Sequence, residues 1–327
     1  MVVLAAAILC PRPARAQIAG PVDNRLLFRY SQPIRVGLII PATGPEAAAD
    51  NPARMAGTDH GFALLGKESG GRVSTFATEA GVGIRRTVYL GLDASSGGAS
   101  LPGSNAIFLE ALYQAMFAFR HDLDGEGREW LSLGYAFAIH NVNAMGVYKV
   151  TESDHALGFA YHEAPAPHRP GVDAGLSVRD PFPIDAERPP DYYGGPATRY
   201  RLYQWITDAT LAITSSDSHW ILHGDLSVFS PIRNAFPDDG PSTEGIGSGP
   251  IRMDFRRYGL EYHPWKFGSL RIERLWNRYW VLGLGGGPAF RSWRLKLDAD
   301  FTHGRFLEHT VPDGYGWISS YRISADW

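Results

Sequence analysis

Ser216-Asp217-Ser218-His219, with His223 and Asp225 a few residues further on, contains the residue types of a serine hydrolase. A hydroxyl, an imidazole and a carboxylate brought within hydrogen-bond reach make an activated nucleophile. The stretch has no Gly-x-Ser-x-Gly elbow, however, and spacing alone does not build a triad. A polar turn followed by histidines along one strand face is the expected reading. A lipid hydrolase using Ser218, His219 or His223 stands as the enzymatic alternative. Asp122-x-Asp124-x-Glu126-Gly127 opens like a calcium loop, but Leu133 occupies the position that needs a bidentate carboxylate. His162-Glu163 with His168 lacks the His-Glu-x-x-His spacing that puts two imidazoles on one helix face. Gly283-x-Gly285-Gly286-Gly287-Pro288 fails as a dinucleotide fingerprint and reads as a strand end and turn. The sequence therefore predicts no catalytic, cofactor or metal site.

What would position such residues is a set of strands with a two-residue period. From Ser292 to Phe301 one face carries Trp293, Leu295, Leu297, Ala299 and Phe301, and the other Ser292, Arg294, Lys296, Asp298 and Asp300. Trp220 to Val228, Leu131 to Ile139 and Tyr203 to Ile213 alternate in the same way. Ile251 to Tyr262 alternates but slips phase at Arg256-Arg257, which predicts a β-bulge there. The last twelve residues end as Tyr321-x-Ile323-x-Ala325-x-Trp327, an apolar, aromatic-tipped face. Charges alternating this strictly with bulky apolar groups suit a wet lumen and a lipid-facing exterior.

Composition sets further limits. The net charge of -3, with acids and bases interspersed, argues against nucleic acid as a partner. Residues 1–16 read as a secretory signal, apolar from Val2 to Leu9 and with a small-x-small cleavage pattern at Ala14-Arg15-Ala16. The one cysteine, Cys10, falls inside this leader, so no disulfide is expected in the mature chain. No mature segment has the ~20 apolar residues of a transmembrane helix. In lipid that leaves a closed barrel, because only helices and barrels satisfy every backbone polar group there.

Residues 17–327 are then expected to form one barrel domain with long loops at 41–70, 163–197 and 230–250. Strands are expected at 34–40, 72–79, 82–92, 107–119, 129–139, 143–151, 154–162, 199–213, 218–229, 251–262, 267–275, 278–285, 291–310 and 315–327. The long connections follow odd-numbered strands, as they should if short turns lie at one barrel end and long loops at the other. Trp220, Trp265, Trp276, Trp280, Trp317 and Trp327 fall near strand ends, as interfacial girdles require. Arg252, Asp254, Glu261, Arg271, Glu273, Arg294, Lys296, Asp298, Asp300 and Arg322 are expected to face the lumen, as is Arg256. With both signs present, they suggest charge pairs that narrow the pore.

Glu261-Tyr262-His263-Pro264-Trp265, Val281-Leu282-Gly283-Leu284-Gly285-Gly286 and the terminal Tyr321-x-Ile323-x-Ala325-x-Trp327 give the C-terminal third its resemblance to bacterial outer-membrane barrels. It is similar to the solitary autotransporter-like barrel families, which have no passenger. The resemblance implies export to the Gram-negative outer membrane, outer-membrane lipid as surroundings, and a C-terminal signal (Tyr321, Ile323, Ala325, Trp327) read by the barrel-assembly machinery. It carries no functional residue. The expected fold is thus an all-β, transmembrane, antiparallel up-and-down barrel of about 12–14 strands. The expected function is porin-like passage of small solutes or a structural role in the envelope. The alternatives are the lipid hydrolase and a secreted soluble β-sandwich that binds a partner.

Overall fold

The computed structural model describes residues 48, 50–58, 60–70, 73–100, 107–144, 148–179, 184–188, 198–203, 205–229, 233–234, 252–265, 268–275, 279–288, 294–305 and 315–327. Its strands are β1 (Gly61–Gly70), β2 (Val73–Ile84), β3 (Val88–Ser100), β4 (Ile107–Asp122), β5 (Glu129–Ala144) and β6 (Tyr148–Glu163). They continue with β7 (Gly171–Arg179), β8 (Ile184–Arg188), β9 (Thr198–Tyr203), β10 (Ile206–Thr214), β11 (Trp220–Phe229) and β12 (Arg233–Asn234). The last are β13 (Arg252–Trp265), β14 (Gly268–Leu275), β15 (Tyr279–Gly286), β16 (Arg294–Arg305) and β17 (Tyr315–Asp326). Fourteen of these close into one antiparallel barrel, each strand pairing with its neighbours in chain order, while β8, β9 and β12 form a separate three-stranded sheet. Closure replaces the sandwich alternative.

The ring is closed by β1 and β17, paired from Phe62↔Asp326 to Ser69↔Ser319. Trp327 extends that ladder: its N–H donates to Gly61 O, and its carbonyl accepts from the N–H groups of His60 and Gly61, all at 2.9 Å. No sheet edge is left between first and last strand, which is what lipid demands.

Burial follows the alternation and is inverted relative to a water-soluble fold. On β5, Ser132, Gly134, Ala136 and Ala138 are buried, while Leu133, Tyr135, Phe137 and Ile139 are exposed. On β14, Ser269, Arg271 and Glu273 are buried, and Leu270 and Ile272 are exposed. On β15, Val281 is buried between exposed Trp280 and Leu282. A closed barrel with polar groups inside and a continuous apolar exterior is a transmembrane β-barrel, since so large an apolar surface is stable only against lipid. No described helix is long and apolar enough to cross a membrane.

The elements depart from the sequence reading at definite places. The strand expected at 34–40 lies outside the described residues. The loop expected at 41–70 contains a 3-10 turn, Pro52–Gly57, and then β1. The strand expected at 82–92 is broken by a tight turn in which Arg85 and Arg86 both take positive φ. Of the segment expected at 143–151, Asn143 and Ala144 end β5, and Tyr148 onward joins 154–162 in one long strand, β6; the loop at 163–197 contains β7 and β8. The span 199–213 divides into β9 and β10, and the described part of 291–310 is β16. Of the loop at 230–250, the described residues Arg233–Asn234 pair with β9. The two longest connections, β7 to β10 and β11 to β13, both leave the barrel at the end opposite Trp327. β6 also outlasts its partner: only Ala156 to Glu163 pair with β7.

If Leu282 faces lipid, placing a charge there is costly. Leu282→Arg is expected to lower unfolding stability in lipid vesicles by about 2–4 kcal/mol, whereas Leu282→Phe changes little. Urea titration of the vesicle-inserted protein checks this, and a loss below about 0.5 kcal/mol for the Arg variant would contradict the lipid-facing assignment.

Candidate functional site

The lumen is occupied by its own chain. Asn51 takes an extended conformation and accepts a hydrogen bond from Ala53 N through Oδ1 (3.1 Å), capping the turn that Pro52 begins. Proline suits that first position because its missing N–H has no partner there anyway. Pro52, Ala53, Arg54, Met55 and Ala56 are all buried. A short turn of this kind has little stability of its own, so the wall must hold it.

The wall does so through its polar groups. Asn51 Nδ2 donates to Phe159 O (3.0 Å) and, more weakly, to Leu176 O (3.4 Å), bridging β6 and β7. Ser132 Oγ on β5 donates to Ala53 O (2.7 Å), and Arg120 Nη1 on β4 to Ala56 O (3.0 Å). Tyr89 OH on β3 donates to Thr58 O (2.9 Å). Arg54 reaches across to β10, donating through Nη2 to Thr210 Oγ1 (2.6 Å), and to Asp173 on β7 at 3.4 Å. The carbonyls that so short a turn leaves open are thus answered by side chains of the barrel.

Two lumen-facing glycines set how closely the turn can approach. A Cβ on Gly134 would fall on the backbone of Pro52 and Ala53, and one on Gly158 would fall on Asn51 Oδ1. Any side chain at either position would displace the plug. Asp50 adds a contact at the turn's start, pairing with Arg179 at 3.4 Å, while Arg179 also holds Asp208 at 2.8 Å.

The wall of β11, β13 and β14 carries a second set of charges. Arg257 donates to Asp225 Oδ2 from Nε (3.0 Å) and Nη2 (2.7 Å), with both residues buried. His223 Nε2 lies 3.1 Å from Glu273 Oε1, again with both buried. His263 Nε2 lies 3.1 Å from Glu261. Opposite charges side by side limit the desolvation cost of a buried ion, and removing one partner alone costs about 3–5 kcal/mol.

Of the residues expected to face the lumen, Glu261, Arg271, Glu273 and Arg322 are buried. The side chains of Arg252, Asp254, Arg256, Arg294, Lys296, Asp298 and Asp300 lie outside the described residues. The phase slip falls at Arg256, which the register skips, so Arg257 is the arginine placed against Asp225. Tyr321, Ile323 and Trp327 are exposed, and Ala325 is half-buried.

The hydrolase set does not assemble. Ser218 sits in the β10–β11 turn with a positive φ of 61°. His219 Nδ1 meets Asp217 O (2.9 Å), while His223 is engaged with Glu273. Asp217 organises that turn instead: hydrogen bonds from the Ser215 hydroxyl and the His219 N–H hold its carboxyl below the ordinary carboxylate range. The calcium-like stretch is also a turn, in which the Asp124 carboxylate accepts from the N–H groups of Glu126, Gly127 and Arg128 at 2.9–3.1 Å. Among the described residues no group of three or more metal-ligating side chains could hold an ion.

The plug itself was absent from the sequence reading. Its signal is local: Asn followed by Pro is a helix-start pair, set in a stretch that composition assigned to loop.

Fold and site together define a transmembrane β-barrel stoppered from within by its own N-terminal segment. No family model and no curated protein matches the sequence. Among solved structures it is similar to a Pseudomonas aeruginosa FadL homologue at 10% identity, over 86% of this chain and 94% of that one, with a TM-score of 0.48. The Pseudomonas putida toluene transporter TodX matches at 12% identity, over 86% and 93%, with a TM-score of 0.47. The translocator domain of the autotransporter NalP from Neisseria meningitidis matches at 12% identity, over 93% and 97%, with a TM-score of 0.43.

Arg54 gives the plug a built-in reporter. Trypsin added to the inserted wild-type barrel is expected to spare the Arg54–Met55 bond, because Arg54 is buried. Gly134→Val, which overfills the seat of Ala53, should expose that bond to cleavage while the barrel stays folded. Equal resistance in the two proteins would contradict the seating described.

Proposed function

We propose that the chain is a bacterial outer-membrane barrel that admits small solutes only when the segment Asn51–Gly57 leaves its seat in the lumen. One observation carries this reading: Asn51–Ala56 are buried inside the ring yet, among the described residues, held by dispersed hydrogen bonds and a 3.4 Å ion pair rather than by a strand ladder. A net hydrogen bond contributes about 0.5–1.5 kcal/mol, so a handful of them, offset by the entropy of ordering the segment, permits a minor open population.

Export through a cleaved leader at residues 1–16, insertion by the barrel-assembly machinery through the strand ending in Trp327, and outer-membrane lipid as surroundings belong to the same proposal. The apolar exterior, the closed ring and the wet, charge-lined interior support it. Opposite charges on β11, β13 and β14 favour solutes that are not strongly selected by sign, since each charge already faces its counterpart.

The test is conductance in planar bilayers. Wild-type protein is expected to be mostly closed, with brief openings. The double variant Asn51→Ala/Arg54→Ala, which removes contacts to β6, β7 and β10, should raise the open fraction about tenfold, the effect of roughly 1.4 kcal/mol. A wild-type channel that is steadily open and unaffected by these changes would rule out gating by the plug.

A further inference from the structure

We propose that Arg179 is an anion site at the mouth of the lumen: in the closed barrel it holds Asp50 of the plug, and a small carboxylate solute arriving at that mouth takes the place of Asp50 and frees the plug. The inference rests on the gating reading above and names what opens the gate. Direction along the lumen comes first. β7 ends at Arg179, at the barrel end opposite Trp327. β1 begins at the other end, where the N–H groups of His60 and Gly61 donate to Trp327 O. The plug therefore runs lengthwise, with Asp50 against Arg179 at the mouth and Thr58 towards the base.

Arg179 holds two carboxylates at once, and it holds them unequally. Its Nη2 lies 2.8 Å from Asp208 Oδ2 on β10 and 3.4 Å from Asp50 Oδ1. The first distance is that of a charge-assisted hydrogen bond, and the second is well beyond it. Asp208 is also fixed from behind, because its Oδ1 accepts from the Ser227 hydroxyl on β11. Its side chain is 6% exposed, against 16% for Asp50. Asp208 belongs to the wall, and Asp50 to the segment that must leave.

Charge decides how a solute can bind there. One guanidinium already faces two carboxylates, so a further anion does not add to the set; it exchanges with one of the two. The loosely held one is Asp50. An untethered carboxylate is free to take the short, two-oxygen geometry that suits a guanidinium fork and that Asp50, at 3.4 Å, does not make. Chloride, a single atom, lacks that match. A tethered group competes at an effective concentration in the millimolar range, so a free carboxylate at about 100 mM displaces it. Release is passed on through the chain, since Asp50 precedes Asn51, which caps the turn through Oδ1 and bridges β6 and β7 through Nδ2. Selection by sign thus occurs at the mouth, and not along the paired wall of β11, β13 and β14.

The experiment is single-channel recording of the full chain in planar bilayers, with potassium acetate added to one face at a time. Acetate at about 100 mM is expected to raise the open fraction about two- to fivefold over equal potassium chloride or neutral acetamide, the range set by one partly exposed ion pair. The response should come from one face only, because the seated plug separates Asp50 from the other. Asp50→Asn changes a partly exposed side chain and leaves Arg179 paired with Asp208. It should already be open to the acetate-treated level, and acetate should add nothing. Acetate acting no more strongly than chloride, acting equally from both faces, or still acting on Asp50→Asn would overturn the anion site, while opening by Asn51→Ala/Arg54→Ala would leave the gating in place. If that double variant also fails to raise the open fraction, the gating reading falls and the anion site falls with it.

Discussion

In hydrocarbon a backbone N–H or C=O without a partner costs several kcal/mol, and that requirement governs everything else in this molecule. It forces the strands into a ring and makes the β1–β17 ladder indispensable, since it closes the ring from Phe62↔Asp326 onward. Closure has a corollary. A ring of fourteen strands encloses more space than a small barrel's side chains fill, and something must occupy or line that space. Here the occupant is the stretch immediately preceding β1. The seam and the stopper are therefore neighbours in sequence, joined through Thr58, whose carbonyl is held by Tyr89.

The lumen is built from reciprocal pairs. Arg257 with Asp225 and Arg179 with Asp208 place opposite charges within 2.7–2.8 Å, and His223 lies 3.1 Å from Glu273. Such pairs do little for net stability, because desolvation offsets most of the attraction. Their consequence is geometric. A charge already held by a neighbour cannot swing into the lumen, so the wall keeps a fixed shape against which the plug can seat. Among the described residues, the plug is the lumen element held by dispersed, individually weak contacts, which makes it the element able to move.

How much of this the sequence disclosed depended on whether the information was periodic. Alternation along Leu131 to Ile139, and the terminal Tyr321-x-Ile323-x-Ala325-x-Trp327, point to strands because one face must meet lipid at every second residue. The bulge at Arg256 was legible for the same reason, as a phase slip. Strand boundaries were less so: Arg85 and Arg86 form a tight turn without glycine or proline to announce it. The short β7, β8 and β9 lie in Pro- and Gly-rich sequence that masks their pairing. The plug was invisible for a different reason. Its burial comes from partners 31 to 156 residues away in the chain, such as Tyr89, Ser132 and Thr210, and from the missing side chains of Gly134 and Gly158. No local window contains that information. The Ser218, His219 and His223 set shows the converse, residue types that match a chemistry whose geometry the fold does not supply.

The central claim is that residues 51–57 occupy the barrel interior, and covalent capture tests it most directly. Met55 lies so close to Gly91 on β3 that a Cβ built there would overlap its sulfur. Met55→Cys combined with Gly91→Cys, in a background lacking Cys10, should be joined by a short bifunctional methanethiosulfonate reagent in intact outer membranes. Reduction should reverse it, and neither single variant should show it. Failure of this pair to cross-link, while a control pair at the neighbouring positions Ala63 and Ala80 of β1 and β2 does so, would mean that the segment lies elsewhere and that the barrel is not plugged by it.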